Sequence, residues 1–407
     1  MSPVWPQIPL KRLFSVQTGT WGEDPDGEHD IACARVADFN RQQFRIDDPP
    51  TLRSVPLAEQ RRLNVLPGDL LLEKSGGTSI NPVGCVVRFE GRGPVVCSNF
   101  VARLRARPDQ SSRFWKYSLG AAYLDGRTWP YVRQTTGIQN LDLAGWLSMR
   151  MEVPSGEEQV GIADFLDRET AKIDALIGRQ ELMADRLIER RNAAILSAVT
   201  GSNAVGPRKT TGLEWLPSIP ESWGVVPANR LCKIGTGDRD SNEAVEDGRY
   251  PLFLRSTKVA AINNWSFDCE AVMTAGDGQG GVGKVFHYFH GKFDAHQRVY
   301  VFRDFHGILG KYFFYCLSRI LPDVVLGGTA KVTMESLRRP MLTHMVVPLP
   351  PELDQMRIVE QLDTEVERIE SMLANVERLA LLAQERRSAL ITAAVTGQLD
   401  ISTGQVV

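Results

Sequence analysis

The 407-residue sequence predicts an α+β protein in which two mixed globular domains alternate with two long helices. Three observations carry that prediction. A stretch from Gln159 to Gly201 recurs from Gln355 to Gly397 with the same offset of 196 residues at either end (355 less 159, and 397 less 201), so the copies align without a gap. Both copies close on Glu-Arg-Arg, at 189–191 and 385–387, and on Ala-Val-Thr-Gly, at 198–201 and 394–397. Each also carries apolar residues in rows spaced by seven, and ahead of each lies a segment of short β-type runs broken by Gly, Pro and Asp. A repeat of nearly half the chain is too long for a solenoid or a propeller blade. It reads as one large unit, a globular part followed by a long helix, present twice.

In the first globular part, residues 1–152, Leu10 to Leu13 opens the domain, and Ile31 to Val36 and Val55 to Leu66 form small elements. Pro67-Gly68-Asp69 before Leu70-Leu71-Leu72 reads as a turn leading into a buried strand. Gly84 to Phe89 and Asn99 to Arg105 are further strands, Phe114 to Tyr123 is helical, Ser75 to Thr78 and Arg133 to Asn140 are polar loops, and Met149 to Pro154 closes the domain. A Gly, Ser, Asn, Pro and Lys-rich linker, 201–211, leads to the second globular part, residues 202–350. There Ser98 to Arg105 finds its counterpart in His296 to Arg303, and Met345-Val346-Val347-Pro348 echoes Met151-Glu152-Val153-Pro154. The architecture is shared and the loops are rewritten, as expected of a duplicated recognition module whose copies read different targets.

The helical stretches, 153–201 and 351–400 (with a tail at 401–407), carry two interleaved rows each. In the first, Leu166, Ile173 and Leu187 stand in one row, with Leu176 and Met183 in the other; in the second, Leu362, Ile369 and Leu390 in one, with Met372 and Leu379 in the other. Such rows make a coiled-coil seam. A helix of this length, about 65 Å at 1.5 Å per residue, cannot bury its seam on one small domain, so each copy is expected to pair with the other. The Gly that ends each copy suits a left-handed C-cap.

Composition is that of a globular protein, 43% hydrophobic and 24% charged, with no apolar run of membrane-spanning length and no signal-peptide pattern at Met1 to Pro6. Six scattered cysteines without C-x-x-C spacing suggest reduced thiols in the cytoplasm rather than a disulfide framework or a zinc site. The net charge of −2 divides unevenly: 1–152 and 202–350 are each +3, whereas 153–201 is −3 and 351–407 is −5. Base collects in the globular parts and acid in the helices, which permits polyanion binding by the former.

Motifs with chemistry are few. Gly278 to Val285 fits G-x-x-x-x-G-K but puts Val285 where Ser or Thr must hold Mg²⁺, and the aromatic Phe286-His287-Tyr288-Phe289 that follows is strand-like, whereas a phosphate loop opens a helix. Asp48-Pro49-Pro50-Thr51 lacks the aromatic residue of an amino-methyltransferase motif. His287 and His290 have no metal-binding context, and no nucleophile, base and oxyanion set is found. The chain is expected to be no enzyme and to hold no metal or cofactor of its own. The residues suited to base edges and phosphates are Ser75, Arg133, Gln134, Thr136, Gln139 and Asn140 in the first domain, and Gln279, Lys284, His296, Gln297, Arg298, Thr329 and Lys331 in the second.

With the duplicated helix, Trp215 to Trp223 (Trp-Leu-Pro-Ser-Ile-Pro-Glu-Ser-Trp) and Val347 to Gln355 (Val-Pro-Leu-Pro-Pro-Glu-Leu-Asp-Gln), the sequence resembles the specificity subunit of type I restriction–modification systems. Ala163 to Asp174 looks like that family's central helix. The first helix is approached through Val153 to Gln159 without the Pro-Pro of the second, a departure from symmetry between the copies. The resemblance implies two target-recognition domains separated by an antiparallel helix pair in a pseudo-twofold internal repeat. Each domain would read half of a bipartite, asymmetric double-stranded DNA site. The helices would fix the spacer and dock two methyltransferase subunits carrying S-adenosylmethionine, and a restriction subunit using ATP and Mg²⁺ would be able to join. Two readings without that role remain: a coiled-coil protein-interaction scaffold, and an enzyme whose site the sequence does not display.

Overall fold

The computed structural model describes residues 5–135, 137–278, 282–325, 327, 336–401 and 405–406. Two long helices, Gly156–Thr200 and Glu352–Val395, run unbroken. The chain divides into two compact units, 1–180 with 378–407, and 181–377. These divisions differ from the expected ones at 152, 201 and 350, because both long helices are shared: each globular part packs on the near half of one helix and on the far half of the other.

In the first unit a five-stranded sheet runs in the order Phe14–Thr18, Val101–Ala106, Leu70–Glu73, Val86–Phe89, Arg45–Ile46, antiparallel except for the last pair. Leu70, Leu71 and Leu72 are fully buried in its centre, as a continuous apolar run requires. The turn before them closes through Gly68 at φ +94° and the Asp69 carboxylate, which accepts from the Leu66 N–H at 2.8 Å. One face of the sheet is covered by the helix Ser112–Leu124, whose Phe114 and Trp115 join Leu10, Phe14 and Leu104 in the core. That core continues into Ile162, Ala163 and Leu166 of the first long helix and Ile391, Ala394 and Val395 of the second. Each buried Ile, Leu or Val among them contributes about 1.5–3 kcal/mol by leaving water.

The second unit repeats this plan. Its sheet runs Lys233–Thr236, Val299–Arg303, Phe267–Ala275, Phe286–Ala295, Tyr250–Phe253, Ala260–Ile262, with the Phe286–Ala295/Tyr250–Phe253 pair parallel. The helix Gly310–Ile320 covers it and shares a core with Ile195, Val199 and Leu362 of the long helices. Part of the expected linker is ordered: Arg208–Leu213 pairs with Leu216–Pro220, and Leu216, Ile219 and Trp223 close on Ile358.

The residues that recur at the 196 offset are joints. Gln159 and Gln355 are both buried. The Gln159 Oε1 accepts the Ser111 N–H at 2.9 Å, and its Nε2 donates to the Pro154 carbonyl at 3.0 Å. The Gln355 Oε1 likewise accepts the Leu309 N–H at 2.8 Å, and its Nε2 donates to the carbonyls of Pro350 at 3.0 Å and Gly307 at 3.1 Å. Asp167 takes the Tyr117 hydroxyl at 2.6 Å and Asp363 the Tyr315 hydroxyl at 2.5 Å. Gly201 and Gly397, at φ +64° and +69°, cap the helices, and Ser202 and Gln398 return N–H groups to Ser197 and Ala393. The Glu-Arg-Arg triplets supply ion pairs across the seam, Arg387 to Asp174 at 2.7 Å in the first unit and Arg191 to Glu370 in the second.

Within each unit the two long-helix segments run antiparallel, and the seam differs from the expected one by a residue. Leu166, Leu187, Leu362 and Ile369 are buried, with Ile173 and Leu390 partly so, as the first row of each copy requires. The second rows fail: Leu176, Met183 and Leu379 are 45%, 46% and 52% exposed, and Met372 is only half-buried. Their places are taken by the next residue along. Ala163, Thr170 and Ile177 are buried on the first helix, and Leu373, Arg387 and Ala394 on the second. Small side chains at several of these positions suit close approach of the helices, so the larger apolar residues beside them face outward.

Candidate nucleic-acid interface

In the first domain the segment after the central strand and the polar stretch near 133–140 are brought together. The latter is a β-hairpin, Val132–Thr135 with Ile138–Leu141, where a loop was expected. Lys74 donates its N–H to the Phe100 carbonyl at 2.9 Å and accepts from the Leu141 N–H at 2.8 Å. The Ser75 hydroxyl meets Asn140 Oδ1 at 2.7 Å, and the Gly76 N–H donates to the Gln139 carbonyl at 3.0 Å. Among the expected contact residues, Arg133, Gln134 and Asn140 are exposed on this hairpin and Ser75 is half-buried beside it. Gln139 is buried, with Oε1 accepting the Val83 N–H at 3.3 Å, so it braces the loop instead of facing a ligand. Thr136 lies outside the described residues.

In the second domain Gln297 and Arg298 are exposed on the turn between Phe286–Ala295 and Val299–Arg303. His296 is buried, and its Nδ1 accepts the Arg298 N–H at 3.0 Å. Burial, and then the nearby Arg255 charge, hold the imidazole below its ordinary range, so it stays neutral and serves the turn. The Asp277 carboxylate takes Arg298 on one oxygen and Arg255, at 2.9 Å, on the other. Partial burial alone would raise that carboxyl, but the bonds from the two guanidinium groups outweigh it and hold it below the usual range. Lys284 is exposed but lines a different cleft, of about 450 Å³, with Arg191, Tyr315 and Glu370. It therefore stands toward the helices, apart from the Arg298 cluster, and it leads into a strand rather than a helix, as no phosphate loop does. Gln279, Thr329 and Lys331 lie outside the described residues.

Sequence reasoning missed Arg255, Asp277 and Phe100. Phe100 stands opposite Arg298 in the alignment of the two domains, which is the available signal; Asp277 directly precedes the glycine-rich stretch Gly278 to Val285 and has no sequence signature of its own. Among the described residues no group of three or more His, Cys, Asp or Glu side chains could hold a metal ion, and no helix is long and apolar enough to cross a membrane. All six cysteines are free thiols, and burial pushes Cys85 and Cys97 up to about 12.

The repeated frame with divergent polar loops is the pattern of one module present twice. A family described as the type I restriction modification DNA specificity domain matches residues 220–378, the second globular part with the start of its long helix. The specificity subunit of the Escherichia coli EcoDI type I restriction enzyme is 34% identical over 181 residues, 44% of this chain and 39% of that one. The EcoBI specificity subunit of the same organism is 33% identical over 89 residues, 22% of this chain and 19% of that one. The chain thus spans well under half the length of these curated relatives. A chain from a structural study of complex assembly and conformational transition in a type I R-M system superposes with a TM-score of 0.63 at 15% identity, covering 97% of this chain and 98% of that one, which shows a common fold. Residues 220–378 are thus similar to the DNA specificity domain of type I restriction–modification systems, and the chain as a whole shares the fold of a protein of such a system.

Proposed function

We propose that this chain is the non-catalytic DNA-reading subunit of a type I restriction–modification complex, acting in the cytoplasm. Each globular domain reads one half of a bipartite asymmetric site in double-stranded DNA, and the paired helices set the spacer. The observation that carries this reading is the contrast between frame and loops. Gln159 and Gln355 each hold a main-chain N–H of the domain and the carbonyl five residues back, Asp167 and Asp363 each take a tyrosine hydroxyl, and Gly201 and Gly397 both cap their helices, while the exposed turns carry different chemistry. A frame kept in duplicate with dissimilar recognition surfaces suits two different half-sites.

The helices dock two methyltransferase subunits, which carry S-adenosylmethionine, and a restriction subunit with ATP and Mg²⁺ joins where the system has one. Support comes from Leu176, Leu182, Met183, Leu379, Leu381 and Leu382, all about half exposed on the long helices. Exposed apolar rows on a helix pair are costly in water unless a partner covers them.

The test uses the full chain assembled with its methyltransferase subunit. DNA carrying a randomised segment is selected on the complex and sequenced, expecting two short fixed blocks separated by a spacer of constant length. Replacing residues 202–350 by the same segment of another specificity subunit should change one block and keep the other. Assembly with no enriched motif would instead favour a protein-interaction scaffold without DNA readout.

A further inference from the structure

The turns that carry Phe100 and Arg298 are the same piece of backbone with different side chains. In the first domain the Val101 N–H closes on the Ser98 carbonyl at 3.0 Å, and Gly19 donates to the Val101 carbonyl at 3.1 Å. In the second the Val299 N–H closes on the His296 carbonyl at 2.9 Å, and Gly237 donates to the Val299 carbonyl at 3.3 Å. Ser98 and His296 each give their N–H to the adjoining strand, to Ala34 and Phe253, at 2.9 Å. Gly19 and Gly237 lie so close that a Cβ would fall 1.9 Å from the carbonyl oxygens of Cys97 and Ala295. The third residue of each turn is therefore delivered alike: a phenyl ring 50% exposed at Phe100, and a guanidinium 59% exposed at Arg298.

Resting on the DNA-reading function proposed above, we infer that this position sets the base class of each half-site. The first domain meets a thymine through its 5-methyl group with Phe100, and the second meets a guanine through O6 and N7 with Arg298. Two further exposed apolar side chains lie on segments tied to the Phe100 turn. Ile80, 86% exposed, and Ile138, 56% exposed, lie on the loop and the hairpin that are bonded to one another and, through Lys74, to the Phe100 carbonyl. Three solvated apolar side chains on connected segments of a polar face match the one apolar group on the major-groove edge of DNA, the thymine methyl. Around Arg298 the chemistry is opposite. Asp277 accepts one nitrogen of Arg298 and one of Arg255, which tethers the Arg298 guanidinium at one end. Among the described residues Asp277 is the only acceptor on the Arg298 side chain, so its other N–H groups remain for two acceptors of a guanine. Half-exposed ion pairs add little to stability, so folding alone gives no reason for this arrangement. Asp277 is the positioning residue of the second site.

The experiment uses the full chain with its methyltransferase subunits and duplexes carrying the selected site, with Kd measured at one fixed salt concentration. Thymines are replaced singly by uracil, which removes only the methyl group, and guanines by 7-deazaguanine, which removes only N7. The expectation is one thymine whose loss of methyl weakens binding about fourfold, with the effect abolished in Phe100→Ala. In the other half-site one 7-deazaguanine should weaken binding about fivefold or more, with the effect abolished in Arg298→Ala and reduced in Asp277→Asn. Selective binding whose base-analogue effects persist unchanged in both variants would overturn this inference and leave the DNA-reading function standing. Absence of selective binding by the parent complex would overturn both.

Discussion

Gln355→Ala tests the joint that ties the second domain to its helix. The amide makes three bonds, all to main-chain groups: the Leu309 N–H at 2.8 Å and the carbonyls of Gly307 at 3.1 Å and Pro350 at 3.0 Å. The bond to Pro350 is buried and the other two are partly so. Losing the partner of a buried group costs about 2 kcal/mol, and of a partly solvated one about 1 kcal/mol, so the substitution should cost about 4 kcal/mol. Gln159→Ala should cost less, about 3 kcal/mol, because one of its three partners is the Gln110 side chain, which can turn to water. In a chain of two units a single unfolding free energy is poorly defined, so the readout is hydrogen exchange at individual amides. Amides of Gly310–Ile320 should exchange about a thousandfold faster in Gln355→Ala, at tenfold for each 1.4 kcal/mol, with those of Ser112–Leu124 unchanged. Acceleration below tenfold, or equal acceleration in both helices, would refute the assignment of the glutamine as a local joint.

Two further outcomes follow from the same geometry. Ile177→Asp places a carboxylate in the seam, where Ile177 is 8% exposed, and should cost more than 3 kcal/mol; Leu176→Asp, one residue earlier and 45% exposed, should leave thermal stability unchanged while weakening methyltransferase binding. Equal thermal destabilisation by both would return the seam to the row of larger residues. Asp26 accepts the N–H groups of Glu28 at 2.9 Å and His29 at 3.2 Å and the Ser54 hydroxyl at 2.8 Å, and these bonds, that from Glu28 foremost, hold its carboxyl at about 2 instead of 3.8. Because the folded value lies below the unfolded one, the stabilisation is complete above pH about 4 and is lost as pH falls through about 2. An NMR titration of Asp26 should show that midpoint, and a midpoint near 3.8 would refute these bonds in solution.

What the sequence made legible was periodic or repeated. The 196-residue offset, the buried Leu70 to Leu72 strand and the helix around Phe114 were all readable from pattern. The seam reads one residue off because Leu176 and Ile177 are alike in bulk and apolarity and Met183 outweighs Ala184, so hydrophobicity alone does not pick out the packed row, whereas close-packed helices favour small side chains such as Ala163 and Ala394. The joints were visible as repeated letters but not as joints, since the partners of Gln159 and Gln355 are mostly main-chain atoms without a sequence signature. The hairpin at 132–141 read as a loop because most of its side chains are polar and face water. Lys284 was grouped with Arg298 by proximity in sequence, and only the tertiary fold separates them.

If each domain reads a half-site as proposed, the glutamine joints bear on how the target changes over time. A socket that grips amides and carbonyls is indifferent to which side chains surround them. A domain offering an N–H and a carbonyl at the same two places, together with an apolar face for the core it shares with the helices, meets this grip, and substitutions on its exposed turns leave it untouched. Novelty in the target then requires no invention in the frame, and a graft of a whole foreign domain meets the same attachment as a single altered loop.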